Sequence, residues 1–377
     1  MPHQCAKSDR LLATGNSFKQ TNLVSDGSVP AAHTDPSLIN PWGMSTPGPT
    51  GPIWISDNNA GATTFYNLDG TKDGQVAIPP APPGATGTGS PTGQVFNSTQ
   101  GFNISQNGKT APAVFIFATE DGTISAWNPS VNPNSAVIAV DNSKGGSPGD
   151  GAVYKGLAMG TTKDGTFLYA ANFRNGSVDM FNSKFELVRS FTDPTVPIGY
   201  APFNVQVLDG KLFVTFAKQD ASRHDDVAGA GHGFVDEFSL NGTMIQRVAS
   251  HGVLDSPWGL AIAPAGFGEF SNDLLVGNFG NGNINVFNLA GQDLGKLDTS
   301  NGTPFHETDL WGLMANGNNI LFTAGLANEA HGLFGSLSAT SAPDLSMTTL
   351  TGEQSGLGGR SDTATGATMT QSGRGWS

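Results

Sequence analysis

A short phrase returns six times along this chain, and no other feature restricts its fold as strongly. Pro41-Trp42-Gly43-Met44 recurs as Pro257-Trp258-Gly259-Leu260 and as Leu310-Trp311-Gly312-Leu313. Looser copies stand at Pro91-Thr92-Gly93, Tyr154-Lys155-Gly156-Leu157 and Pro202-Phe203-Asn204-Val205. The spacing, roughly fifty residues, is close to the length of a propeller blade. Each copy is followed by a second apolar run, such as Ile53-Trp54-Ile55, Leu212-Phe213-Val214 or Ile320-Leu321-Phe322. Most then turn through Gly or Asn into a third run, as in Gly176-Ser177-Val178-Asp179-Met180-Phe181, whose alternation marks one packed face. A fourth run is legible at Leu187-Val188-Arg189-Ser190-Phe191 and Met244-Ile245-Gln246-Arg247-Val248.

Four strands per repeat make a blade, so the reading is all-β: one six-bladed β-propeller. The sixth repeat runs short of strands, and residues 18–24 are expected to pair with it, closing the ring and protecting its edges. The boundaries that follow are a leader over 1–17, the propeller over 18–339 and a disordered Gly/Ser/Thr-rich tail over 340–377. A β-sandwich carrying chance Pro-Trp-Gly triplets is the competing reading.

Composition agrees with many short strands: 51 Gly and 23 Pro stand against only 13% charged residues. The net charge of −13 supplies no cationic stripe for phosphate, which argues against nucleic-acid or anionic-membrane partners and favours basic ligands. No apolar run is long enough to span a membrane, and the first fifteen residues lack the apolar core of a signal peptide. Cys5 is the sole cysteine, so neither an internal disulfide nor a multi-thiolate metal site can form. Sequons at Asn97, Asn103, Asn175, Asn241 and Asn301 are glycan acceptors in a eukaryotic secretory pathway. At Asn175, Asn241 and Asn301 the Asn-Gly pair also reads as a tight turn with positive φ.

In an up-and-down blade, the loop entering the inner strand and the loop between strands two and three open on one face. That face gathers Trp42, Lys155, Phe203, Asn204, Trp258 and Trp311 from the first set, with Asp57, Asn58, Glu120, Asp121, Asn172, the run from Lys218 to Asp226, Asn278 and the stretch from Glu329 to His331 from the second. Aromatic faces beside amides suit a sugar or aromatic ligand, although a Trp at a repeat position also serves blade packing. Glu120 and Lys155, on neighbouring blades, form either a salt bridge or an acid/base couple. The loop carrying Asp220, His224, Asp225 and Asp226 reads either as a solvated Asp turn or as a site for Ca, Mn or Zn. Nucleophile-elbow, P-loop and His-Glu-x-x-His signatures are missing.

The repeat grammar resembles NHL-type and gluconolactonase-like six-bladed propellers. More closely, Asn40-Pro41-Trp42-Gly43, Ala118-Thr119-Glu120-Asp121-Gly122, Ala201-Pro202-Phe203-Asn204 and Ser256-Pro257-Trp258-Gly259-Leu260 look like an uncharacterised microbial propeller family, often exported. The resemblance spans residues 22–338 and implies a secreted or periplasmic protein whose leader is absent from this chain. The gluconolactonase-like resemblance implies an axial divalent cation held by carboxylates and amides. Here Gly43, Gly93, Gly156, Gly259 and Gly312 leave only Asn204 with a side chain at the matching position, so such a site would draw on Glu120, Asn172 or Asn278. The functional expectations are therefore a propeller binding a small-molecule or glycan ligand at its mouth, a metal-assisted hydrolase or lyase on the same face, or a protein-interaction platform.

Overall fold

The computed structural model describes residues 17–82, 84–144 and 151–340. The leader and tail expected over 1–17 and 340–377 lie outside the described residues, apart from Ser17 and Thr340 at their inner ends. The described chain forms six sheets built on antiparallel four-stranded blades, with a two-stranded hairpin inserted in the second. Blade 1 comprises Pro41–Ser45, Ile53–Asp57, Ala62–Tyr66 and Lys72–Ala77. Blade 2 comprises Pro91–Phe96, Phe115–Thr119, Thr123–Trp127 and Val137–Asp141. Blade 3 is Tyr154–Thr162, Gly165–Asn172, Ser177–Phe181 and Leu187–Phe191, and blade 4 is Tyr200–Leu208, Lys211–Lys218, Gly233–Phe238 and Met244–Ser250. Blade 5 is Pro257–Ile262, Leu274–Asn278, Ile284–Phe287 and Asp293–Lys296. Blade 6 takes Leu310–Asn316, Asn319–Ala324 and Leu333–Ala339, and its outer strand is Ser17–Ser25 from the start of the described chain. That strand pairs antiparallel from Phe18↔Ala339 to Ser25↔Leu333, so the ring closes as the strand count requires.

The repeated phrase has a geometric cause. In every blade the pairing of the first two strands shifts register at the phrase itself, between Pro41 and Met44, Pro91 and Gln94, Tyr154 and Leu157, Pro202 and Asn204, Pro257 and Gly259, and Leu310 and Leu313. An irregularity of this kind re-aims the residue it carries. The residues so placed are Trp42, Thr92, Lys155, Phe203, Trp258 and Trp311, all buried. The glycine that follows lets the inner strands meet. A Cβ on Gly93 would lie 2.2 Å from the Leu157 backbone nitrogen, and one on Gly156 would lie 2.6 Å from the Asn204 Cα.

Apolar side chains form one layer at each of the six blade interfaces and a seventh cluster on the axis. The axial cluster is aromatic: Trp42, Phe173, Phe203, Trp258 and Trp311, with Phe279 against it. Hydrogen bonds cross the same interfaces, with Thr92 Oγ1 donating to Tyr154 O (2.9 Å), Gln94 Nε2 to Gly43 O (2.8 Å) and Asn204 Nδ2 to Trp258 O (2.6 Å).

Two details depart from the sequence reading. The blade 2 insertion pairs Asn103–Gln106 with Lys109–Pro112 and carries a turn at Asn107 and Gly108, both with positive φ. At the three Asn-Gly sequons only the glycine has positive φ: Gly176, Gly242 and Gly302 at 70°, 77° and 75°. These are wider turns closed behind a left-handed glycine, such as the Gly242 N to Ser239 O bond of 2.9 Å, because the strand register there leaves room for more than two loop residues.

Candidate functional site

Loops from five of the six blades converge on one face around a cavity of about 500 Å³. The loops between second and third strands supply Asn58 and Asn59 (blade 1), Glu120 (blade 2), His224 to Asp226 and Ala228 (blade 4), Phe279 and Gly280 (blade 5), and Asn328 and Glu329 (blade 6). Asp309 enters from the connection before blade 6, and Lys155 rises from the inner strand of blade 3. Trp42 and Trp311 line the cavity from the axial cluster, with ring centroids 3.5 Å apart and nearly parallel. Phe279 stacks on Trp311 at 4.2 Å. Beneath this aromatic layer, among Gly43, Gly93, Asn204 and Gly312, a separate void holds only about 20 Å³, so the cavity is a cup.

Lys155 organises the cup. Its side chain is 2% exposed, its Nζ contacts Glu120 Oε1 at very short range, and it lies 3.3 Å from Asp225 Oδ1. The ammonium also sits 5.1 Å from the Trp42 ring centre and 5.9 Å from that of Phe173, in reach of both aromatic quadrupoles. Burial works against its charge, but the Coulomb attraction of Glu120 and Asp225 outweighs it and holds the ammonium above its ordinary value. Asn58 Nδ2 donates to the other oxygen of Glu120 at 2.8 Å, so both sides of that carboxylate are held.

Neighbouring carboxyls in this cup diverge for physical reasons. The hydrogen bond from His224, helped by Lys155, holds Asp225 down to about 2, and the same bond raises His224. Asp226, one residue on, is pushed by burial to about 6 against the pull of the Ser256 hydroxyl and the Lys155 charge, and its Oδ2 is sealed from solvent. Burial, with the nearby Glu120 charge, raises Glu329 to about 7. Glu329 ends a run of four left-handed residues without a glycine, from Leu326 to Glu329, with φ of 40°, 50°, 59° and 63°. Such a run costs about 1–2 kcal/mol per residue. Asp309 Oδ2 accepts from Glu329 N at 3.1 Å and Asn59 Nδ2 donates to Glu329 O at 2.7 Å, tying this strained turn to the cup.

Among the described residues, Glu120, His224 and Asp225 offer ligand atoms within 4.8 Å of one another, close enough for one cation to reach all three. Lys155 Nζ already bonds two of the three. Asp220 turns its carboxylate back on its own loop, with Oδ1 accepting from the backbone of His224 (2.9 Å) and Asp225 (3.3 Å), and Oδ2 accepting from Ser222 Oγ (2.6 Å).

The remaining residues singled out from sequence are scattered. Trp258 packs edge-on against Trp42 and Trp311, behind the cavity wall. Asn204 lies below the aromatic layer. Asn172 donates to Asp179 Oδ2 at 2.8 Å and lines a separate groove between blades 2 and 3. Asn278 donates to Val253 O at 2.8 Å and to Asn281 Oδ1 at 3.1 Å, capping its own turn. Lys218 ends its strand away from the cup. Asn59, Phe279, Asp309 and Asn328 join the cup without having been singled out. Their common signal is position, at or beside strand-two exits and inner-strand entries.

No protein-family model matches the chain. Of the solved structures, a streptogramin B lyase covers 86% of this chain and 98% of its own at a TM-score of 0.50 and 12% identity. A protein of unknown function from Bacteroides thetaiotaomicron gives 0.51 at 13% identity, covering 86% and 77%. At such identities these likenesses speak to the fold alone. Two uncharacterized proteins of Acanthamoeba polyphaga mimivirus are closer in sequence, each 32% identical, over 331 and 332 residues. The alignments take in 85% of this chain and 80% and 85% of the two mimivirus proteins. At this extent of identity the chain, itself a six-bladed β-propeller, belongs to the same family as these uncharacterized mimivirus proteins.

Proposed function

We propose that the protein is an extracytoplasmic binding propeller that takes a small polar ligand, or one end of a polymeric one, in the loop-lined cup. One observation carries the reading: a cavity of about 500 Å³ combines an aromatic floor with convergent charged and amide side chains from five blades. The volume is within the range of small-molecule sites, and the lining, more polar than is usual for them, suits a polar ligand. Trp42 and Trp311 present the aromatic surface, and Asn58, Asn59 and Asn328 provide adaptable donors and acceptors at the wall.

A second reading, acid/base chemistry of the hydrolase or lyase kind, is favoured by Glu329 and Asp226, whose carboxyls exchange protons near neutrality beside a fixed ammonium. Its metal-assisted form, the lactonase-like one, would use Glu120, His224 and Asp225 and would require the cation to displace Lys155 Nζ.

One set of thermal melts tests both readings. The full chain is screened against sugars, aromatic compounds and amines, beside an Ala228→Trp variant that fills the mouth, with and without chelator. Ligands that raise the melting temperature of the native chain and not of the variant are expected. Hits shared equally by the variant place binding elsewhere and overturn the reading. A fall in melting temperature with chelator moves the assignment to the metal-assisted form.

A further inference from the structure

We propose that the cup selects an organic cation, an alkylammonium or arylalkylammonium compound. The proposal deepens the binding reading above and rests on it. Carboxyls outnumber cations around the cavity: Glu120, Asp225, Asp226, Asp309 and Glu329 face only Lys155 and His224. Both cations are already committed, Lys155 to Glu120 and Asp225, and His224 to Asp225 at 2.8 Å.

Two carboxyls are left over. Asp226 Oδ2 is shut off from solvent and bonds no cation, with only the Ser256 hydroxyl and the charge of Lys155 to favour its ionised form, and the Glu329 carboxyl makes no hydrogen bond or ion pair among the described residues. A buried carboxylate that no cation pairs is costly, and a ligand that brings a charged donor offsets that cost. The floor asks for the same chemistry. Trp42, Trp311 and Phe279 together line the cavity, and the faces of such rings attract positive charge. Lys155 shows that a cation is at home here, since its Nζ lies 5.1 Å from the Trp42 ring centre.

A neutral sugar would satisfy hydrogen bonds and leave the two carboxyls uncompensated, and an anion would be repelled by them. The strained turn points the same way, because residues 326–329 hold left-handed conformations that deliver Glu329 to the wall. A backbone of that kind persists only where its surroundings over-determine it.

The test is calorimetric titration of the full chain at about pH 8 with three probes: phenethylamine, 2-phenylethanol and methyl β-glucoside. Phenethylamine is expected to bind about tenfold or more tightly than either neutral probe. Asp226→Asn and Glu329→Gln are each expected to weaken it by a similar factor while leaving the melting temperature unchanged or raised, since each removes a buried charge that no cation pairs. If 2-phenylethanol or the glucoside binds as tightly, and Ala228→Trp abolishes that binding, the cation class is overturned and the cup remains a binding site. If no probe binds saturably, or binding survives Ala228→Trp, the cation proposal falls. Survival in the variant also removes the cup as the site.

Discussion

Lys155 stands at a position that is aromatic in four of the six repeats, and the sequence shows the substitution plainly. Its pairing with Glu120 of the neighbouring blade was legible from the loop map, because adjacent blades bring those two loops together in any up-and-down propeller. The divergence of Asp225 and Asp226 was not legible, since adjacent residues of one type differ only through burial and through the partners that distant loops provide. Those shifts set a pH dependence. Above about pH 4 the unfolded chain releases protons that folded Asp226 and Glu329 keep until about 6 and about 7. Stability therefore falls as pH rises through that window and levels off above it. Asp225, held to about 2, contributes stability that is lost as pH drops below about 4 towards 2. Urea melts across pH are expected to place maximal stability near pH 4–5, with a shallower alkaline-side decline in Glu329→Gln. A maximum at pH 7–8 that the substitution leaves in place would contradict this account.

At the scale of the element, the inner strand explains why a tripeptide could announce a fold. Its register shift turns one residue to the axis, and the glycine behind it allows the next blade's backbone to approach. Gly93 tests the second half of that statement. Gly93→Ala sets a methyl group 2.2 Å from the Leu157 nitrogen, a backbone atom with no rotamer in which to retreat. A loss of about 1–3 kcal/mol, as for other overpacked sites, is expected in denaturant melts. Gly48→Ala, where nothing lies within 4 Å, is the matched control and should change stability by less than about 0.5 kcal/mol. Equal losses at the two positions would refute the close-approach explanation. Sequons separate at this scale as well: Asn97 is buried with its amide donating to Ala113 O at 2.8 Å, whereas Asn103, Asn175, Asn241 and Asn301 are exposed. The motif reads alike in all five, and only strand placement distinguishes them.

The described residues form a ring whose last blade borrows its outer strand from their own start, Ser17–Ser25. Without Ser17–Ser25, the strand Leu333–Ala339 would become an open edge, and the side chains that Phe18 covers, Phe267 and Phe270, would face water. Truncation to begin at Asp26 is expected to lower the melting temperature and to promote concentration-dependent association, readable by light scattering. A truncated chain that melts like the full one and stays monomeric would show that closure contributes little.

The sequence by itself determined the number of blades, their order, the closing strand and the face on which the candidate-site loops gather. Each of these follows from local periodicity and strand count, which neighbouring residues encode. It also put Trp42, Trp258 and Trp311 in one class, since their phrases are nearly identical. Only the tertiary structure decided that Trp42 and Trp311 form the cup floor while Trp258 packs behind it. The structure alone decided, too, that Asn172, Asn204 and Asn278 serve other contacts, and that a left-handed turn delivers Glu329 to the wall. The reason is that exposure, pairing and charge at an axis depend on six blades meeting there at once. No single repeat contains that information.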